Sequence, residues 1–361
     1  MSEPTLNCPD CDVTPAEAVD RRGFLRNVGG TAVTLAALEA VTRAAPAFAQ
    51  AAAQPARAEK PAEALVRELW ATLTNEQKTQ VVRPWNHGAG PNQIATRLRM
   101  YNAPLGRRIA DVYTPAQREL NERILRSIGN GDTGWRCLSR GGDFDASGSF
   151  QACGADIFGD PTGNQPFAWV FSGHHLTVRC DGNSEANTAF GGPMYYGHTP
   201  EGYSQRNVFN YQTRSVLSVY DALNEAQRRQ AIVVGTPGEL APSIRFRARG
   251  EAHPGIRAGE LTADQRRLVE TVMRDVLSPF RREDGDEVME LIRRNGGLDQ
   301  LHLAFYRDRG ANDNQQWHFW RLEGPGFVWN YRVLPHVHTY VNIALQPAAP
   351  AAAPAAPVRN G

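Results

Sequence analysis

The stretch Gln316-Trp317-His318-Phe319-Trp320-Arg321-Leu322-Glu323-Gly324-Pro325-Gly326-Phe327-Val328-Trp329-Asn330-Tyr331 decides the fold class. Two runs rich in aromatic and β-branched residues, 316–322 and 326–331, flank a Gly-Pro-Gly turn, the pattern of a β-hairpin. With strand-like segments at 301–307 before them and 336–343 after them, they read as an antiparallel meander. An earlier strand pattern spans 167–178. Helical patterns fill 63–71, 75–82, 91–101, 115–129, 207–222, 225–233, 263–278 and 285–296, and 130–165, dense in Gly, Asp and Ser, reads as loop. Helices early and in the middle with strands mostly late predict an α+β fold, its helical segments flanking a mostly antiparallel late β-meander.

Four helix starts repeat one signature. Thr74, Thr114, Asn224 and Thr262 each precede a Gln three residues on: Gln77, Gln117, Gln227 and Gln265. That is a capping box, in which cap and Gln side chains satisfy backbone N–H groups at the helix start. The Gln residues lie 40 apart in the first pair and 38 in the second, which hints at a duplicated helical hairpin. Four independently capped helices are the simpler reading.

Outside this region the chain divides plainly. Asp20-Arg21-Arg22-Gly23-Phe24-Leu25-Arg26, a weakly apolar run over 28–38 and the small-residue site Ala47-Phe48-Ala49 have the order of a twin-arginine export signal over 1–49. The apolar run is too short to span a bilayer, which needs about 20 residues. The expected partner is the twin-arginine export machinery, and the expected location is periplasmic or secreted after cleavage near Ala49. Residues 50–62 read as an Ala/Pro linker, 63–345 as a single globular domain and 346–361 as an extended Ala/Pro tail. With 39 basic and 38 acidic residues and no block of like charge, nothing points to nucleic acid, and no stable membrane anchor is expected. Cys8 and Cys11 would leave with the signal. Of the remaining cysteines, Cys137 and Cys153 are expected to pair in an oxidising compartment, leaving Cys180 reduced.

Among motifs that carry chemistry, phosphate-cradling glycine loops and nucleophile elbows are absent from the sequence. Asp143-Phe144-Asp145-Ala146-Ser147-Gly148 opens like a calcium loop but has Gly154 where the bidentate Glu belongs, and reads as an ordinary loop. The histidines are more informative. His336 and His338 are spaced to share one face of a strand. His174 and His175, read within one strand, should point to opposite faces, so that one of them joins the site. His318 adds a ring from a neighbouring strand. His174, His175, His318, His336 and His338 are therefore the candidate metal ligands, with Glu323 and Arg321 the candidate catalytic groups nearby and a divalent transition metal the candidate cofactor. Each histidine could equally be a packed core residue. His198 and Glu201 lie in an adjoining loop, His87 and His253 read as surface histidines, and Arg206, Arg214, Arg321 and Arg332 could meet an anionic small-molecule ligand.

Several of these segments occur in a characteristic order: Phe158-Gly159-Asp160-Pro161, Trp169, Gly173-His174-His175-Leu176, Trp317 to Pro325, and His336-Val337-His338-Thr339. In this the chain resembles the bacterial DUF3500 domain over about residues 62–345. The resemblance implies a domain boundary and a site location, and no activity. Members carry an Ile-Glu step after Gly-Pro and an Arg-Asp soon after His-x-His. This chain departs there, with Phe327-Val328-Trp329-Asn330 and Thr339-Tyr340-Val341-Asn342. Two functional classes remain open: an exported metalloenzyme acting on a small molecule, and a non-enzymatic periplasmic protein that binds a metal or ligand.

Overall fold

The computed structural model describes residues 59–91, 93–180, 185, 187–239, 244–248, 250–307 and 317–346. The twin-arginine segment, the Ala47-Phe48-Ala49 site, Cys8, Cys11, most of the linker and most of the tail lie outside the described residues. No helix among the described residues is long and apolar enough to cross a membrane.

The fold is α+β, built on one eleven-stranded, mostly antiparallel sheet. The helices are α1 (Pro61–Thr72), α2 (Asn75–Val81), α3 (Ile109–Val112), α4 (Pro115–Ile128), α5 (Gly131–Ser139), α6 (Asn210–Ala222), α7 (Glu225–Ala231), α8 (Ala263–Leu277) and α9 (Arg282–Arg294). The strands are β1 (Val82–Arg83), β2 (Gly154–Gly159), β3 (Phe167–Gly173), β4 (Leu176–Cys180), β5 (Met194–His198), β6 (Ile232–Val234), β7 (Ile256–Arg257), β8 (His302–Arg307), β9 (Phe319–Gly324), β10 (Phe327–Arg332) and β11 (Val337–Ile343). The late meander is present as β8 to β11, but the first half of the chain supplies nearly as much sheet. The expected strand over 167–178 is two strands, β3 and β4, folded at His174-His175. The expected helix over 91–101 contains only a 3-10 turn at Thr96–Leu98. The stretch 130–165 holds α5 and β2, which its glycines hid.

Strand order is β1-β2-β3-β4-β5-β11-β10-β9-β8-β6, with β7 against β8. Read outward from the central antiparallel pair β5·β11, the two halves match: a hairpin (β3/β4 or β9/β10), then β2 or β8, then a short parallel edge strand, β1 or β6. Each edge strand follows a capping-box helix. All four boxes form as read from the sequence. Gln77 and Gln117 exchange amide hydrogen bonds at 2.7 and 3.1 Å, and Gln227 and Gln265 do so at 3.0 and 2.9 Å. Equivalent helices meeting through equivalent residues, on equivalent strands, favour duplication over the simpler reading of independent caps.

The two faces of the sheet differ. Alternation along each strand sends Ile157, Trp169, Phe171, Val178, Tyr196, Val337, Val341, Trp329, Trp320 and Phe305 to one side, where they pack on α1, α4, α6 and α8 in the main core. The registers place Asp156, Arg179, Tyr195, His338, Asn330, Arg332, Arg321 and Glu323 on the other. Loops after β1 and after β6 cover this polar face. Tyr101 and Leu105 in the first donate backbone N–H groups to Thr177 and Ser172 at 2.7 and 2.8 Å. Burying hydroxyls and charges requires such partners.

The expected Cys137–Cys153 disulfide does not form. Both are buried thiols in separate settings: Cys137 Sγ lies 3.8 Å from the Tyr211 hydroxyl, and Cys153 Sγ lies 3.6 Å from the Ser149 carbonyl. Cys137 lies on α5, a helix unforeseen in the sequence.

Candidate metal centre

The site starts from a two-residue turn. Gly173 pairs with Leu176, so His174 and His175 close the β3/β4 hairpin, and both rings fall on one side with centroids 3.8 Å apart. The expectation that they point to opposite faces fails because they lie in a turn. His175 adopts a left-handed backbone, φ 50°, a state disfavoured for side-chain-bearing residues by about 1 kcal/mol. Its N–H donates to Asn102 Oδ1 at 2.7 Å and its carbonyl accepts from Gly197 at 2.9 Å, which fixes the turn. Gly197 is required there: a Cβ would sit 2.3 Å from the Val337 carbonyl oxygen and 3.1 Å from the His175 side chain.

His338 on β11 and His336 just before it meet the His175 ring. His338 Nε2 lies 2.9 Å from His175 Nε2 and 3.0 Å from His336 Nε2. The three are buried, and their ligand atoms lie within 4.8 Å of one another. Three nitrogens bound to one ion at ~2.1 Å stand ~3.0 Å apart on an octahedral face and ~3.4 Å apart in a tetrahedron. The two spacings from His338, 2.9 and 3.0 Å, match those of ligands on one transition ion.

The outer partners orient the rings. His175 Nδ1 lies 2.7 Å from Asp145 Oδ2, and His338 Nδ1 lies 3.2 Å from Glu239 Oε1. A carboxylate oxygen accepts, so each Nδ1 carries the proton and donates it in the hydrogen bond, and each Nε2 is the unprotonated nitrogen. Arg332 Nη2 donates to His336 Nε2 at 3.0 Å, so ligation by that nitrogen requires Arg332 to give up this bond. Asp145 also accepts the Thr199 N–H at 3.0 Å and the Thr199 hydroxyl, while Glu239 Oε2 accepts from Arg332 Nη1 at 2.7 Å.

Electrostatics hold the imidazoles neutral. Burial pushes His175 down to about 2, with Asp145 opposing and His338 and His174 adding. Burial and then the Arg332 charge push His336 down to about 4. Burial, Arg332 and the neighbouring rings push His338 well below its ordinary range. Burial works against an ionised Asp145, but its contacts with His174, His175 and Thr199 outweigh that and hold its carboxyl low. Burial raises Glu239 against the pull of Arg332 and the rings. Neutral imidazoles beside an ionised carboxylate are the protonation states a metal site needs.

Of the residues singled out in the sequence, the structure brings together His175, His336 and His338, with His174 stacked beside them. His174 Nδ1 accepts the Ala146 N–H at 3.3 Å and lies 3.8 Å from Asp145 Oδ2. His318 is outside this group, placed before β9 with its carbonyl accepting the Val333 N–H at 2.7 Å. Arg321 and Glu323 are not at the centre either: they pair with each other at 3.2 Å, and Glu323 pairs with Arg247 at 3.1 Å. Strand register puts them two strands from β11. His198 Nδ1 accepts the Val208 N–H, and Glu201, Arg206 and Arg214 are exposed. The carboxylates that do serve, Asp145 and Glu239, were missed. Asp145 lies in the rejected calcium-like stretch, where it and Phe144 have φ near +55°. Consecutive left-handed residues mark a constrained loop that sequence does not reveal. Glu239 stands in a loop without periodicity.

The chain belongs to the DUF3500 family, described as a protein of unknown function, whose model matches residues 55–344. No curated protein and no solved structure matches it.

Proposed function

We propose that this chain is an exported metalloenzyme that holds one divalent transition ion on His175, His336 and His338 and acts on a small molecule. The observation that carries the reading is the convergence of three buried Nε2 atoms, two of them on rings whose Nδ1 is held by a carboxylate. Three protein ligands with a position left for water or substrate is the arrangement of catalytic rather than structural sites. A divalent ion so held supplies a Lewis acid and lowers the pKa of a bound water towards ~7. Asp145 and Glu239 orient the rings and raise their basicity. Arg332, anchored on Glu239, is placed to donate to negative charge developing beside His336.

Purified without a histidine tag, the mature chain is expected to carry about one equivalent of metal and to lose it on His338→Ala. Elemental analysis that finds no metal, or the same metal in the variant, sinks the reading. Deep burial of His175, His336 and His338 favours a second reading, a binding protein that retains its ion. Metal-dependent turnover in a screen of small esters, amides and phosphoesters separates the two. Export rests on Arg21 and Arg22: replacing both by Lys is expected to leave the precursor in the cytoplasm. Normal periplasmic levels of that variant would falsify the assignment.

A further inference from the structure

The turn that carries His175 is tied at every backbone polar group. The His174 N–H donates to Ser147 Oγ at 2.8 Å, and the His174 carbonyl accepts from Arg140 Nη2 at 2.8 Å. The His175 N–H donates to Asn102 Oδ1 at 2.7 Å, and the His175 carbonyl accepts from the Gly197 N–H at 2.9 Å. Three of the four partners are side chains. Arg140 is buried at the C-cap of α5, where Nη1 also donates to the Leu138 carbonyl, so one guanidinium joins the helix end to the turn. Ser147 belongs to the stretch that opens like a calcium loop. There three consecutive residues grip the hairpin: Asp145 Oδ2 meets the His175 ring, the Ala146 N–H donates to His174 Nδ1 at 3.3 Å, and Ser147 takes the His174 N–H. Asp143 Oδ1 accepts the Asp145 N–H at 2.9 Å and sets the loop in turn.

The corresponding turn of the second half is made differently. Pro325-Gly326 consists of residues that favour a tight turn by themselves. Among the described residues its backbone makes one hydrogen bond outside the strand ladder, with the Ala344 N–H, and none with a side chain. Asn295 stands at the C-cap of α9 as Arg140 stands at that of α5, yet it bonds the Ala344 carbonyl and the Gln346 N–H, at 3.0 and 2.9 Å, and leaves the turn alone. A hairpin on this scaffold therefore closes without side chains on its turn. The first turn has in addition a ring to place.

We propose that Ser147, Asn102 and Arg140 are positioning residues of the metal centre, fixing His175 in its ligating pose before an ion arrives and so setting the affinity of the site. The inference rests on the metal reading above. His338 takes its direction from strand β11, whereas His175 stands on a turn whose shape these three side chains define. A ligand keeps its geometry only when the groups around it are locked in their own places. Loss of such an outer partner costs ~10–100-fold in metal affinity.

The test is titration of Co²⁺ into the apo mature chain in competition with a chromophoric chelator, recording the visible absorption of bound Co²⁺, with urea unfolding of the same apo samples. Wild type is expected to bind about one equivalent. Ser147→Ala, Asn102→Ala and Arg140→Lys are each expected to weaken Co²⁺ binding about tenfold or more and to alter its absorption bands. Asn295→Ala, which cuts the bonds at the other helix end, is expected to lower the urea midpoint and leave affinity and bands as in wild type. Ser147→Ala deletes a single half-buried hydroxyl, so it keeps the inference open to refutation if Arg140→Lys fails to fold. Variants that lose stability as Asn295→Ala does, with wild-type affinity and bands, would show that the anchors only support a strained turn. That result overturns the inference and leaves the metal centre standing. A wild type that binds no Co²⁺ overturns both.

Discussion

The two halves of this chain share a scaffold and differ at their hairpin turns. In the first half, Gly173-His174-His175-Leu176 joins β3 to β4, and in the second, Gly324-Pro325-Gly326-Phe327 joins β9 to β10. His175 and Gly326 occupy the same place: φ is 50° in one and 65° in the other, and each carbonyl accepts a backbone N–H at 2.9 Å from near the end of the adjacent central strand, from Gly197 within β5 and from Ala344 just after β11. The second half uses the residue that the left-handed backbone prefers. The first uses histidine there against that preference, and this histidine is the candidate ligand that bridges the halves. Asp145 comes from the first half and His336, His338, Glu239 and Arg332 from the second, so the centre lies at the seam and neither half could form it alone.

The strongest way to break this contrast is to make the first turn like the second. His175→Gly is expected to retain the fold, since glycine relieves backbone strain of about 1 kcal/mol. Metal affinity should fall by more than the ~10–100-fold that loss of an outer-shell partner costs. Thermal unfolding of the apo form and elemental analysis read the two effects separately. If metal content is unchanged, His175 is a packing residue and the contrast between the turns has no chemical meaning.

How much of this was legible in the sequence follows from what each signal depends on. The capping boxes were readable because they are local: Thr or Asn followed by Gln three residues on satisfies backbone donors within one turn. His336 and His338 were readable as a pair because strand period alone puts them on one side. His174 and His175 were misread because a hairpin that turns on two histidines lacks the Asn or Gly that usually marks a two-residue turn. Glu323 and Arg321 were drawn in by closeness in sequence to His318, whereas the carboxylates that hold the rings come from residues 145 and 239, loops brought in only by tertiary packing. The early strands β2 and β5 escaped notice because glycines at 154, 159 and 197 weaken their strand pattern.

A smaller effect tests whether the halves are energetically alike. Gln117 and Gln265 each complete a capping box, pair with a partner Gln and donate to a helix-end carbonyl, Thr72 at 3.0 Å and Ala222 at 2.7 Å. Replacing either by Ala removes these bonds and leaves buried groups unsatisfied, at about 1–3 kcal/mol each. The two losses, measured by urea unfolding, are expected to agree to within ~0.5 kcal/mol. A large cost in one half and none in the other would show that duplicated geometry has not kept duplicated energetics.

The subtlest contrast is electrostatic and concerns Asp156, whose counterpart is Ala304. Burial raises the Asp156 carboxyl from 3.8 to about 6, with Arg83 opposing. Between those values the folded chain binds a proton that the unfolded chain has released, so the stability linked to this group is present at low pH and lost as pH rises through that window. The gap corresponds to on the order of 2–3 kcal/mol. Asp156→Asn removes the titration, so wild type should lose roughly that much stability relative to the variant between about pH 4 and pH 7. Urea unfolding of both proteins at the two pH values isolates the difference, because every other titrating group is common to them. Parallel pH dependence would mean that Arg83 keeps the carboxylate ionised throughout, making the pair an ordinary buried ion pair. The first half would then carry a permanent charge at Asp156, where the β2·β3 and β8·β9 registers place the methyl group of Ala304 in the second half.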